Sequence, residues 1–153
     1  MGTSAVGTYP ITAIEAADAN YNISYAVGTL TVEGVALLIT ADYKSEAYGA
    51  DLPELTVSYE GLVNGDLTPA TLATISTTGL GTSAVGTYPI TAIEAADANY
   101  NISYTIGTLT VDAVDLLITA DDKSKEYGAD LPELTVSYEG LVNGDLTPAT
   151  LAT

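Results

Sequence analysis

The sequence predicts an all-β protein: small sandwich-like or grasp-like domains in tandem, strung as an elongated array, each with at most one short helical turn. Three observations predict it. Apolar residues alternate with polar ones in short segments, turn residues interrupt the chain every few positions, and one passage, "GTSAVGTYPITAIEAADANYNISY", occurs at 2–25 and again at 81–104.

Each segment has its own justification. "GTYPITAI" reads as a strand whose Pro10 removes a ladder donor, which favours an edge or bulged position. In "YNISY", Tyr21, Ile23 and Tyr25 share one face, and in "TLTV" Leu30 and Val32 oppose Thr29 and Thr31. The connection between them, Ala26–Gly28, is short and contains Gly, so the two are expected to form a hairpin. "VALLITA" is continuously apolar at Leu37, Leu38 and Ile39, as an inner strand would be. "LTVSYEGL" alternates through Leu55, Val57 and Tyr59, and "TLATIST" completes the set. Turn signals lie at "YGADLP" (48–53), "VNGD" (63–66) and "TTGLGTSAVG" (77–86), and "GDLTPATL" is the one place for a helical turn.

The repetition is nearly complete. From Thr3 aligned with Thr82, an offset of 79 holds to the last residue, and only eight of 72 aligned positions differ: 26, 27, 33, 34, 36, 43, 46 and 47 with their partners. A unit this long exceeds a solenoid turn and suits a small domain.

Composition excludes much chemistry. There is no Cys, His, Trp, Phe or Arg, so disulfides, thiol nucleophiles, Ser/His triads and zinc sites are excluded. Twenty carboxylates face three lysines, Lys44, Lys123 and Lys125, giving a net charge of −17. That charge repels a nucleic-acid backbone and an anionic membrane surface. No apolar run approaches the ~18 residues of a spanning helix, and the residues after Met1 do not form a signal peptide. The acidity reads first as solubility at high local concentration, with an acidic binding surface as the alternative, while Val, Ile, Leu and Tyr suffice for a core.

Together, Lys44 and Ser45 before Tyr48 and Gly49, the "GLVNGD" turn, "GTYPITA", and "NYNISY" leading into "GTLTV" closely resemble the MBG-type repeat of the Tyr-Gly variety. That family occurs in tandem in large bacterial surface proteins and adhesins. The resemblance spans essentially every residue of the unit. It implies a non-enzymatic extracellular stalk or spacer module at the cell surface, with no catalytic residues, no cofactor and no metal to carry over. It also implies a register: the second half of a repeat at 2–33, a complete repeat at 34–113, and the first half of another at 114–153. The Gly/Thr/Ser-rich stretch 76–87 suggests the alternative of two permuted units, 2–80 and 81–153.

In the family register, residues 114–153 supply the strands that 2–33 lack. Head-to-tail strand complementation between chains is therefore expected, with neighbouring repeats or other copies of the chain as partners and no nucleic acid or membrane insertion. The rival function is a multivalent module for a glycan or host surface protein, to be favoured by an exposed Tyr or Asn patch. Carboxylates alone would support only glycosidase-like chemistry.

Candidate sites have simpler structural readings beside them. Asp18, Asn20 and Asn22 alternate like the opening of a Ca²⁺ loop, but Ile23 stands where Gly is required and Thr29 where the bidentate Glu belongs. Asp42 with Glu46 and Asp51 with Glu54 are further candidates for Ca²⁺. Lys44 and Lys123 raise the question of a Lys–Asn crosslink, which needs a buried Lys beside an acid; both are expected to be exposed. Tyr21, Tyr25 and Tyr59 are expected in the core or in strand pairing rather than on sugars. "NIS" at Asn22 and Asn101 matches a glycosylation sequon within a strand.

Overall fold

The computed structural model describes residues 4–151, which form eleven strands and no helix. The all-β expectation holds. Contacts divide the chain into two compact units that take turns along the sequence. Unit 1 comprises the chain up to Ala41, Thr56–Ser76 and Thr91–Ile106; unit 2 comprises Asp42–Leu55, Thr77–Ile90 and the chain from Gly107 onward.

In unit 1, β1 (Gly7–Ile11) pairs antiparallel with β2 (Gly28–Val32), Gly7 opposite Val32 and Ile11 opposite Gly28. β3 (Val35–Ala41) is the middle strand of a second sheet, as its continuous apolar run predicts. On one side it meets β5 (Val57–Glu60) antiparallel. On the other it meets β8 (Tyr100–Thr105) in parallel, from Val35 opposite Tyr100 to Thr40 opposite Thr105. Leu37, Ile39 and Ala41, two residues apart on one face of β3, are fully buried. Gly61 ends β5 at φ 106°, where a Cβ would strike the carbonyl of Ala36.

In unit 2, β9 (Gly107–Asp112) has both edges occupied. β7 (Gly86–Ile93) pairs antiparallel on one side, and β4 (Lys44–Ala47) pairs in parallel on the other. Leu109 and Val111 are buried there, with Ile90 of β7. The unit also holds a two-stranded sheet of β10 (Leu117–Ala120) and β11 (Val136–Glu139).

The hairpin expected across Ala26–Gly28 does not form. In the second passage β8 and β9 follow one another but join different sheets, because β7 and β4 leave β9 no free edge. In the first passage residues 21–27 are not strand at all. The helical turn allowed in "GDLTPATL" is also absent: Thr71 makes an isolated antiparallel bridge with Ala96, which holds the segment extended.

The turns follow their chemistry. Asn64 (φ 58°) and Gly65 (φ 87°) close "VNGD" with Asp66 N–H on the Val63 carbonyl at 3.0 Å, and Asn143 and Gly144 repeat it. Pro89 lies within β7 but opposite Thr108. β6 (Thr74–Thr77) runs beside the later half of β7, where the Thr74 hydroxyl donates to Glu94 and the Ser76 and Thr91 hydroxyls are 3.2 Å apart.

Candidate functional site

The site is built around Tyr100, the first residue of β8. Ahead of it Asp97 forms an Asx turn, its Oδ1 accepting Asn99 N–H at 2.8 Å while Oδ2 accepts Ala70 N–H at 3.0 Å. That turn delivers the tyrosine ring into unit 1, where the residue is 7% exposed. Its hydroxyl donates to Asp66 Oδ2 at 2.7 Å and accepts the Val63 N–H at 3.0 Å, both from the "VNGD" turn. The bond to the Asp66 carboxylate holds the phenol above its usual range, burial acting in the same direction. Asn99 Oδ1 accepts Val6 N–H at 3.0 Å, so the turn also grips the start of the first passage.

Unit 2 contains the same turn sequence without such a tyrosine. Val142 and Asp145 stand in "VNGD" where Val63 and Asp66 stand in unit 1. They line a cleft of about 490 Å³ together with Val85, Val114, Leu116 and Pro148. Tyr48 donates to Asp145 Oδ2 at 3.2 Å, and a Cβ on Gly49 would lie 2.8 Å from Val142 Cγ2. The Tyr-Gly pair thus packs on the "VNGD" turn that follows 79 residues after its own. In the other copy Tyr127 is fully exposed and nothing lies within 4 Å of a Cβ on Gly128.

The first passage keeps the local geometry of the second. Asn20 N–H bonds Asp18 Oδ1 at 2.8 Å, and Tyr25 hydroxyl takes Ala16 N–H at 2.7 Å, as Tyr104 takes Ala95 N–H at 2.9 Å. Glu15 and Glu94 bend at φ 67° and 66°. Yet Tyr21 is 73% exposed where Tyr100 is buried. The expectation of a core tyrosine is corrected for Tyr21, because no partner strand covers it. Tyr59 is half-buried, and Tyr25 is exposed.

The remaining candidates are scattered. Asp18 is the acceptor of its own turn, and Asn101 Nδ2 donates to Gly34 carbonyl at 3.1 Å, so these oxygens and amides shape loops. Among the described residues, no group of three or more acidic side chains gathers as a metal would need. Glu46 is buried in β4 with neither carboxylate oxygen hydrogen-bonded. Asp51 and Glu54 are exposed. Lys44 is half-buried opposite Leu109, against the expectation of an exposed side chain, whereas Lys123 is exposed. No helix among the described residues is long and apolar enough to cross a membrane.

Sequence reading took "VNGD" for a turn alone and missed its second use as the receptor for a tyrosine hydroxyl. The available signal was the Asp at the end of a turn that needs only Asn-Gly.

Comparison with curated proteins and with solved structures gives no match. A family model for the MBG domain (YGX type) matches residues 1–31, 37–110 and 116–153. MBG domains are typical of extracellular surface proteins, and the family is structural and adhesin-type rather than a known enzyme family. By these matches, which cover nearly the whole chain, this protein belongs to the MBG-domain family of the YGX type and is a tandem repeat of it.

Proposed function

We propose that the chain is a spacer segment of an extracellular stalk or filament at a bacterial cell surface, and that its work is to set length and stiffness rather than to transform a substrate. One observation carries this. Pairings local to a half-repeat form in every copy in the same register: β1 with β2 as β7 with β9, and β3 with β5 as β10 with β11. Pairings that join two halves, β3 with β8 and β4 with β9, are parallel and bridge distant sequence. A chain that interlocks half-repeats in this way resists being pulled into separate beads.

The division at 2–33, 34–113 and 114–153 accords with the three family matches, and half-repeats at both ends suit completion by neighbouring repeats or other copies. A glycan-binding role would call for the same exposed tyrosine in each copy. Tyr25 and Tyr104 are exposed in both copies, but each hydroxyl is held by the backbone of Ala16 or Ala95; Tyr43 is exposed but is Asp122 in the next copy, and Tyr21 is exposed where its counterpart Tyr100 is buried.

Covalent arrays of increasing unit number test the reading. Contour length from small-angle scattering should grow by a constant increment per unit, with rising thermal stability. Arrays that collapse to a compact shape, or a unit that binds glycans with micromolar or better affinity, would sink it.

A further inference from the structure

We propose that the cleft of unit 2 receives residues 18–25 of a second copy of this chain, Tyr21 first, in the register in which unit 1 holds residues 97–104. The inference rests on the spacer reading for its biological sense, but its geometry comes from the molecule's own second passage.

Both parties are present and incomplete. β10 pairs with β11 alone among the described residues, so its other edge has no ladder partner, and Ile118 is 40% exposed where Ile39, its counterpart in β3, is fully buried. Residues 18–25 are identical to 97–104, where the last five residues are strand because β3 lies alongside. In the first passage the Asx turn and the Tyr25 latch are already formed, so little ordering remains before docking.

Every contact that seats residues 97–104 has a counterpart at the cleft. In unit 1 the Tyr100 hydroxyl uses Val63 and Asp66; Val142 and Asp145 offer the same N–H and carboxylate to Tyr21. Asp97 accepts from Ala70, and Ala149 lines the cleft to donate to Asp18. Asn99 accepts from Val6, and Val85 lines the cleft to donate to Asn20. Asp145 already receives Tyr48, and its carboxylate has acceptor capacity for a second hydroxyl. By the β3–β8 register, Val114 comes opposite Tyr21, Asp115 opposite Asn22 and Ile118 opposite Tyr25. Two positions depart from the template. Asp115 replaces Ala36 opposite Asn22. Ala113 replaces Gly34, and a Cβ on Gly34 would lie 3.2 Å from the Asn101 amide, so the amide of Asn22 must shift by a few tenths of an ångström.

The contact joins one end of the repeat pattern to the other, so it is heterologous and propagates head to tail unless it closes a ring. Its strand addition is parallel, with backbone bonds giving affinity and the tyrosine giving register.

The chain has no cysteine, which allows a direct test on the full chain. Asn22→Cys and Asp115→Cys variants, mixed under mild oxidation, should yield a disulfide-linked heterodimer. Asn22→Cys mixed with Thr119→Cys, four residues out of register, should not. By light scattering over a dilution series the unsubstituted chain should show concentration-dependent association, weakened tenfold or more (about 1.4 kcal/mol per tenfold) by Tyr21→Phe through loss of the hydroxyl's bonds to the Asp145 carboxylate and the Val142 N–H. Tyr21→Ala should abolish it while leaving the melting of the Tyr100 region unchanged. A monomer at every concentration overturns the proposal, as does equal crosslinking of both pairs. A monomeric disulfide in the Asn22→Cys/Asp115→Cys double variant would show capture by the same chain and overturn it too. None of these results touches the contour length of covalent arrays, so the spacer reading stands or falls separately.

Discussion

The Tyr100 hydroxyl donates to Asp66 Oδ2 at 2.7 Å across 34 residues of chain, tying β8 to the turn after β5. Because β8 is parallel to β3 and has no hairpin to fix it, this bond and the Val63 N–H bond set where the strand begins.

Alkaline pH should loosen that tie. Hydrogen bonding to Asp66, then burial, raises the folded-state value of Tyr100 above the usual value of about 10. A raised value means the stabilisation is fully present below about pH 10 and is lost as pH rises through the higher folded value. Thermal melts from neutral pH upward should show an alkaline fall in Tm that Tyr100→Phe reduces; an unchanged slope in the variant would assign the fall to other tyrosines.

Acid should weaken unit 2 through Asp121. Bonds from the Thr135 and Ser137 hydroxyls, with Lys123 nearby, hold its carboxyl below the ordinary range. The stabilisation is present above the unfolded value near 4 and is lost as pH falls through the lower folded value. NMR titration should find Asp121 among the last carboxylates to protonate, and Thr135→Val should return it toward the ordinary range.

The same substitution should cost different amounts in the two copies. Ile39→Ala empties a filled position in β3 and should cost about 2–5 kcal/mol. Ile118→Ala removes a part-exposed side chain and should cost about 1 kcal/mol or less in the isolated chain. Urea unfolding of both variants checks this, and equal costs would mean that β10 is covered in solution.

Glu46 is buried with two carboxylate oxygens unbonded, a defect that the repeat in this chain does not need at that position, since Lys125 takes the place in the next copy. Glu46→Val removes the unsatisfied oxygens and suits a strand, so it should raise unfolding stability by about 1–3 kcal/mol. A loss of stability would instead reveal a partner for the carboxylate in solution.

The sequence by itself determined everything whose partner is close along the chain. The inner character of "VALLITA", the strands "GTYPI" and "GTLTV", and the "VNGD" and "YGAD" turns were legible because period-two patterning and Asn-Gly or Tyr-Gly chemistry act over a few residues. The two strands and the two turns recur in both copies, whereas the inner place of "VALLITA" does not, because its counterpart β10 has one partner strand and is exposed. The tertiary structure decided the rest. Residues 20–25 and 99–104 are the same six residues, yet one set remains coil and the other is strand except at its first residue. No local propensity distinguishes them. Backbone groups of a strand must be paired, and only 99–104 has a β3 edge to meet. For the same reason the hairpin expected at Ala26–Gly28 failed, and the tyrosine socket stayed hidden. Alternation tells which face of a strand is apolar, but not which distant strand will cover it.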